Sequence, residues 1–158
     1  MTLRIERADF QDPSLRAFLA AHHADMAPQS PAESQHALGL EALRQPGVRL
    51  WVGWIGEQLV ATCALAHLAP GHEELKSMRT DPELRGRGIA SKMLEHTITE
   101  AVSRGVKQIS LETGSVEFFA SARRLYAANG FSPCEPFGSY THDPYSTYMS
   151  LSLDSSAS

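Results

Sequence analysis

The residues Arg85-Gly86-Arg87-Gly88-Ile89-Ala90 suit one kind of chemistry, the holding of an anion. Two glycines between arginines leave backbone N–H groups with no side chain in front of them. They stand where a helix pattern begins, and a helix N-terminus carries partial positive charge. A phosphate or pyrophosphate is the ligand that such a turn suits best. Two nucleotide fingerprints are absent. Ser91 stands where the third glycine of G-x-G-x-x-G belongs, and the Walker pattern G-x-x-x-x-G-K-[ST] does not occur.

The elements around this turn follow from periodicity. Glu74 to Thr80 reads as a strand and Asp81-Pro82 as a tight turn. From Ala90, Met93, Leu94, Ile98, Ala101 and Val102 fall on one helical face, and Gly105 stops that helix after Arg104. Val106 to Thr113 alternates as a strand. Phe118, Ala122 and Leu125 mark a further helix ending at Asn129-Gly130. Phe131 to Phe137 and Tyr145 to Leu153 read as closing strands, the first irregular because of Pro133 and Pro136.

Upstream, Leu3 and Ile5 alternate as a first strand, and Ser14 to Ala24 carries Leu15, Phe18, Leu19 and His22 on one helical face. Ser30-Pro31-Ala32-Glu33 has the form of a capped helix start, with the helix running to about Arg44, before Pro46-Gly47. Val48 to Ile55 and Gln58 to His67 read as strands joined by a hairpin at Gly56-Glu57. The order is β-α-α-β-β-β-α-β-α-β-β. It implies a mostly antiparallel sheet with one parallel crossover after Glu74.

Composition bounds the rest. The 158 residues fit one domain with a sizeable core, expected over residues 1–153, with a frayed tail at 154–158. A net charge of −4 favours neither bulk nucleic acid nor a membrane surface. Cys63 and Cys134 lack metal or disulfide spacing, so no metal is expected. No apolar run approaches the ~20 residues of a membrane span, and no signal peptide is visible, so a cytoplasmic location is expected.

Two motifs then resemble the GNAT superfamily of N-acetyltransferases. Arg85-x-x-Gly88-x-Ala90 resembles its acyl-CoA-binding motif, R/Q-x-x-G-x-G/A. Ala122-Arg123-Arg124-Leu125-Tyr126-Ala127-Ala128-Asn129-Gly130-Phe131 is similar to its A-x-x-L-Y-x-x-x-G-F segment. Their separation and the element order also suit the family. The run from Pro136 to Tyr140, then Asp143 to Ser146, is similar to a bacterial subgroup of mostly uncharacterised acetyltransferases. The resemblance implies a single α/β (α+β) domain. Its mixed, mostly antiparallel sheet has about seven strands, with helices on both faces. A parallel pair, Glu74–Thr80 and Lys107–Thr113, splays at the acyl-CoA site.

By the same resemblance acetyl-CoA is the cosubstrate. Backbone N–H groups of Arg87, Gly88, Ile89 and Ala90 hold its pyrophosphate, with Arg85, Gly86 and Ser91 around them. The edge of Met78-Arg79-Thr80 pairs with the pantetheine amides as an added strand would. There is one departure: many family members carry Asn where Phe119 stands, near the pantetheine arm.

The implied reaction is direct attack of a primary amine of a small molecule or peptide, in a ternary complex. A lysine-like amine is neutral about once in a few thousand molecules at pH 7 and an α-amine more than about a tenth of the time, so the need for a base depends on the substrate. Glu74 is the base candidate, Tyr126 the acid that protonates the departing sulfur, and a backbone N–H near Met78 meets the oxyanion. His22, His23, Ser34 and His36 on the first helices, with Tyr140 and His142 in the last connection, are candidates for the acceptor side. Arg79 and Arg123 could attract a carboxylate on the substrate, but they read first as solvated charges, and Trp51 and Trp54 read as core and sheet-face residues. Family members often pair through their last strands, so a homodimer is a further expectation. Two other classes compete: a non-catalytic module that binds and senses acyl-CoA, and a nucleotide-binding protein using the same turn.

Overall fold

The period-two runs of Val, Leu, Ile and Trp become strands of one seven-stranded sheet. The computed structural model describes residues 2–29, 31 and 39–153. The strands are β1 (Leu3–Arg7), β2 (Val48–Ile55), β3 (Gln58–Ala69), β4 (His72–Thr80), β5 (Gln108–Gly114), β6 (Ser132–Pro133) and β7 (Ser146–Ser152). Their order across the sheet is β1-β2-β3-β4-β5-β7-β6. Every pairing is antiparallel except β4 with β5. The Phe131–Phe137 strand of the sequence reading shrinks to the two residues of β6. Pro133 and Pro136 lack the N–H groups that a longer ladder needs.

The helices are α1 (Pro13–Met26), α2 (Leu40–Leu43), α3 (Ile89–Ser103) and α4 (Ala120–Ala128). Asp12 caps α1 by accepting from the Ser14 N–H, with Pro13 at the first helical position. A single helix from Ser30 to Arg44 does not form. Gly39 is extended, at φ −79° and ψ 173°, so α2 begins only at Leu40. Ser30 and residues 32–38, which include Ser34 and His36, lie outside the described residues, as does the tail 154–158.

Both faces of the sheet are covered. On one, Met93 and Leu94 of α3 and Tyr126 of α4 pack with Trp51, Cys63, Leu75, Leu111 and Met149. On the other, Leu15 and Leu19 of α1 and Leu43 of α2 pack with Leu50, Val52 and Ala64. Trp51 is 3% exposed and belongs to the first core, while Trp54 packs against the second.

Two irregularities in β4 shape the site. The parallel pairing with β5 runs from His72↔Gln108 only to Leu75↔Leu111. Beyond it β4 continues to Thr80 beside β3, and β5 continues to Gly114 beside β7. The two strands therefore part in a wedge. The second irregularity is a bulge. Lys76 lies opposite Ala64 and Arg79 opposite Thr62, so Ser77 and Met78 together face only Cys63. Ser77 has φ 52°, and its carbonyl accepts from Thr62 Oγ1 at 2.8 Å. Among the described residues it alone takes a positive φ without being glycine, at a cost of about 1–2 kcal/mol.

Candidate active site

The glycine turn folds as its composition dictates. Asp81 accepts from the Glu83 N–H at 3.0 Å and starts a short 3₁₀ turn, Pro82–Leu84. Gly86 and Gly88 follow at φ 80° and 77°, a region that side chains disfavour. A Cβ at either would project into open space, with no atom within 4 Å. Gly88 is also the N-cap of α3, and as glycine it has no side chain to cap the helix. The first turn carries no carboxylate. The first intrahelical bond runs from the Lys92 N–H to the Gly88 carbonyl at 3.1 Å. The N–H groups of Ile89, Ala90 and Ser91 thus precede the helical ladder and remain donors at a positive helix end. Buried Ile89, 5% exposed, anchors the turn to the core, while Arg85 and Arg87 are exposed. This uncapped turn fits a phosphate group, and it joins the wedge through the end of β4.

Tyr126 stands on the α3–α4 side of the sheet. It is 6% exposed, with its ring 5.8 Å from that of Phe131. Burial, then the nearby Cys63 and Glu112, hold the phenol well above its ordinary pKa of 10, so it keeps its proton. Its hydroxyl has no hydrogen-bond partner among the described residues. It is a protonated donor without an acceptor. The neighbouring Cys63 thiol is pushed up to about 12 by complete burial and is inert.

Glu74 faces the other way. Its Oε2 accepts from the Tyr140 hydroxyl at 2.6 Å and from Lys76 Nζ at 3.2 Å. Lys76 Nζ also donates to the Tyr140 oxygen at 3.0 Å. The side chains of Lys76 and Glu74 are 11% and 9% exposed. Tyr140 arrives from the connection between β6 and β7. Its ring packs on Phe137 at 5.1 Å and Tyr148 at 5.6 Å, and the Tyr148 hydroxyl pins that connection by donating to the Thr141 carbonyl at 2.8 Å. Burial and the bond to Glu74 raise the Tyr140 pKa, so it too is a proton donor. Glu74 and Tyr140 were both expected near the site, and they meet. Lys76 was missed. Its signal was an opposite charge two residues from Glu74, which a strand places on the same face.

Glu73 points to the opposite face, as alternation requires, and takes a bidentate pair from Arg104 at 2.8 and 2.9 Å. The expectation of solvated charges fails for two arginines. Arg79 is only 8% exposed, because its guanidinium pairs with Asp25 at 2.9 Å and lies 5.3 Å from the Phe18 ring centre. Arg123 is tied to the Gly114 and Val116 carbonyls and holds the β5–α4 loop. His22 lies beside Arg79, and burial with that cation lowers its pKa to about 4, leaving it neutral at pH 7. His23 neighbours it with ring centres 6.1 Å apart. His142 is 82% exposed and lies 3.1 Å from Glu135, so it faces solvent. Phe119 ends the 3₁₀ turn Glu117–Phe119 and is the N-cap of α4, without a capping bond. Its ring lies directly over Gly114, in the space that a Cβ there would need. Among the described residues no group of three or more His, Cys, Asp or Glu is placed to hold a metal ion. Nor is any helix long and apolar enough to cross a membrane.

The family model described as acetyltransferase (GNAT) family matches residues 8–131. An uncharacterised N-acetyltransferase of Escherichia coli, YedL, is 44% identical over 149 residues, covering 94% of each chain. An acetyltransferase of the GNAT family from Staphylococcus aureus has the same fold, with a TM-score of 0.77 at 20% identity over 97% of this chain and 100% of that one. The PaiA N-acetyltransferase of Thermoplasma acidophilum, solved in complex with coenzyme A, gives a TM-score of 0.73 at 14% identity, covering 97% of this chain and 100% of its own.

Proposed function

The chain belongs to the GNAT acetyltransferase family, and from that premise we propose that it acetylates a primary amine of a small molecule or peptide, using acetyl-CoA in a ternary complex. Acetyl-CoA, when bound, supplies an acetyl group activated as a thioester. Everything else in the reading belongs to the chain. The N–H groups from Arg87 to Ser91 hold the pyrophosphate, with Arg85 and Gly86 beside them. The edge of Met78-Arg79-Thr80, which β5 leaves unpaired, bonds the amides of the pantetheine arm.

Glu74 takes the proton of the attacking amine. The Ser77–Met78 peptide, outside the register of the β3 ladder, turns an N–H toward the charge that develops on the acyl oxygen. Tyr126 gives its proton to the departing sulfur, and its raised pKa keeps that proton available. One observation supports the reading: β4 and β5 part just beyond Leu75↔Leu111, with the Glu74 carboxylate on one face of the sheet, the protonated Tyr126 phenol on the other, and an uncapped helix start beyond the end of β4.

A panel of amines assayed with acetyl-CoA for free-thiol release is the test. Thiol release that depends on an amine supports the transferase. Calorimetric binding of acetyl-CoA without turnover on any amine would instead support an acyl-CoA-sensing module.

A further inference from the structure

Two cations are buried next to each other on the α1 face of β4. The bulge puts them there. In a regular strand Lys76 and Arg79 would point to opposite faces. Here they lie opposite Ala64 and Thr62, alternate residues of β3, so they stand on the same face about 7 Å apart along the strand. Their side chains are 11% and 8% exposed. Each has one counter-ion, Glu74 for Lys76 and Asp25 for Arg79.

Neither cation is satisfied. The Lys76 ammonium has three donors, and the described residues account for two acceptors, Glu74 and Tyr140. Arg79 Nε is buried with no hydrogen-bond partner among the described residues, and so is the Ser77 hydroxyl in the bulge between them. A buried donor left unmade is costly, and more so when it carries charge. The missing partner is an acceptor with several lone pairs, small enough to lie between two side chains. A carboxylate meets each condition. Phe18 holds the guanidinium from one side, and neutral His22 adds no competing charge.

Charge balance points the same way. Lys76 and Arg79 against Glu74 and Asp25 sum to zero. An ammonium arriving alone beside Glu74 would leave one buried positive charge. An ammonium that brings its own carboxylate leaves none. Passing the amine proton to Glu74 changes neither total. Resting on the assignment of the Glu74 face to the acceptor, we propose that the acceptor is an aminocarboxylic acid whose carboxylate bridges Lys76 Nζ and Arg79 Nε.

The test is binding, separate from turnover. N-acetyl amino acids with aromatic, aliphatic and acidic side chains, and the matching N-acetyl amino amides, are titrated by calorimetry into protein saturated with CoA. The acids should bind at least about tenfold tighter than their amides. Arg79→Met should abolish that preference while thermal melting shows a folded protein. Lys76→Met should weaken the preference too, and Arg79→Met suffices if Lys76→Met fails to fold. Equal binding of acids and amides, no binding by any acid, or a preference that survives Arg79→Met overturns the proposal. Amine turnover without preference for acids overturns it and leaves the transferase standing. Acids that bind to a protein that turns over no amine overturn the transferase and leave the carboxylate site.

Discussion

Glu73 and Glu74 are neighbours in the chain and serve opposite faces of β4. Glu73 meets Arg104, the C-cap of α3, in a bidentate pair between elements adjacent in sequence order. Glu74 meets Tyr140, 66 residues away, and Lys76. The α3–α4 face is assembled from regular, locally patterned elements: a backbone-built turn, an amphipathic helix and a tyrosine on the next helix. The α1 face is assembled from charged side chains that long connections bring together. On the proposed reading, one strand thus carries a backbone-built ligand cradle on one side and a site made of side chains on the other. Loops change more readily than the elements they join, so on the proposed reading the acceptor would meet the more variable of the two faces.

The largest expected effect breaks the cradle alone. Gly88→Glu at φ 77° carries strain of about 1–2 kcal/mol, and its side chain enters open space, so the fold survives. It sets a carboxylate where the phosphate must sit. Acetyl-CoA affinity should fall at least about 1000-fold, roughly 4 kcal/mol, by calorimetry. Unchanged affinity in the folded variant would move the cofactor site elsewhere.

Next, Tyr126→Phe removes one unpartnered oxygen and keeps the ring on Phe131. kcat and kcat/KM should drop together about 100-fold, about 2.7 kcal/mol, with acetyl-CoA affinity nearly unchanged. Rates within about threefold of the parent would remove the phenol from the chemistry.

The smallest effect is a contrast between the two carboxylates. Glu74→Gln should lower kcat, with the loss diminishing for acceptors of low amine pKa. Glu73→Gln should leave kcat alone and cost about 2 kcal/mol of stability in urea melts, since Arg104 is left without its carboxylate. Arg104 holds the Glu73 pKa below its ordinary 4.5. That stabilisation is full above the unfolded pKa and disappears as pH falls through the folded value. Acid melts of Glu73→Gln should therefore depend less on pH below about 4.5 than those of the parent. A Glu73→Gln protein that melts like the parent but loses activity would reverse the two assignments.

Legibility in the sequence follows the same division. Most of the strands, α3 and the glycine turn were readable because each depends on local spacing, whereas Tyr126 was singled out by the resemblance of its segment to the family's. Gly86 and Gly88 announce positive φ, and Met93, Leu94 and Ala101 announce a buried helical face. The α1 face resisted. Ser77 adopts a conformation that its residue type does not advertise, so the bulge and the shared face of Lys76 and Arg79 went unseen. The Arg79–Asp25 pair spans 54 residues, and no periodicity predicts it. Gly39 was taken into a helix that it interrupts, since a lone glycine in an apolar pattern is not a decisive breaker.

The seat of Phe119 on Gly114 constrains how this sequence can drift. An aromatic ring fills the space of the missing side chain, so the two positions can change in only one order. Position 119 is free to shrink while 114 stays glycine. Position 114 acquires a side chain only after 119 has shrunk. A lineage that has taken the aromatic residue has therefore fixed its glycine as well. A polar helix cap can return at 119 in a single step, whereas a side chain at 114 needs two.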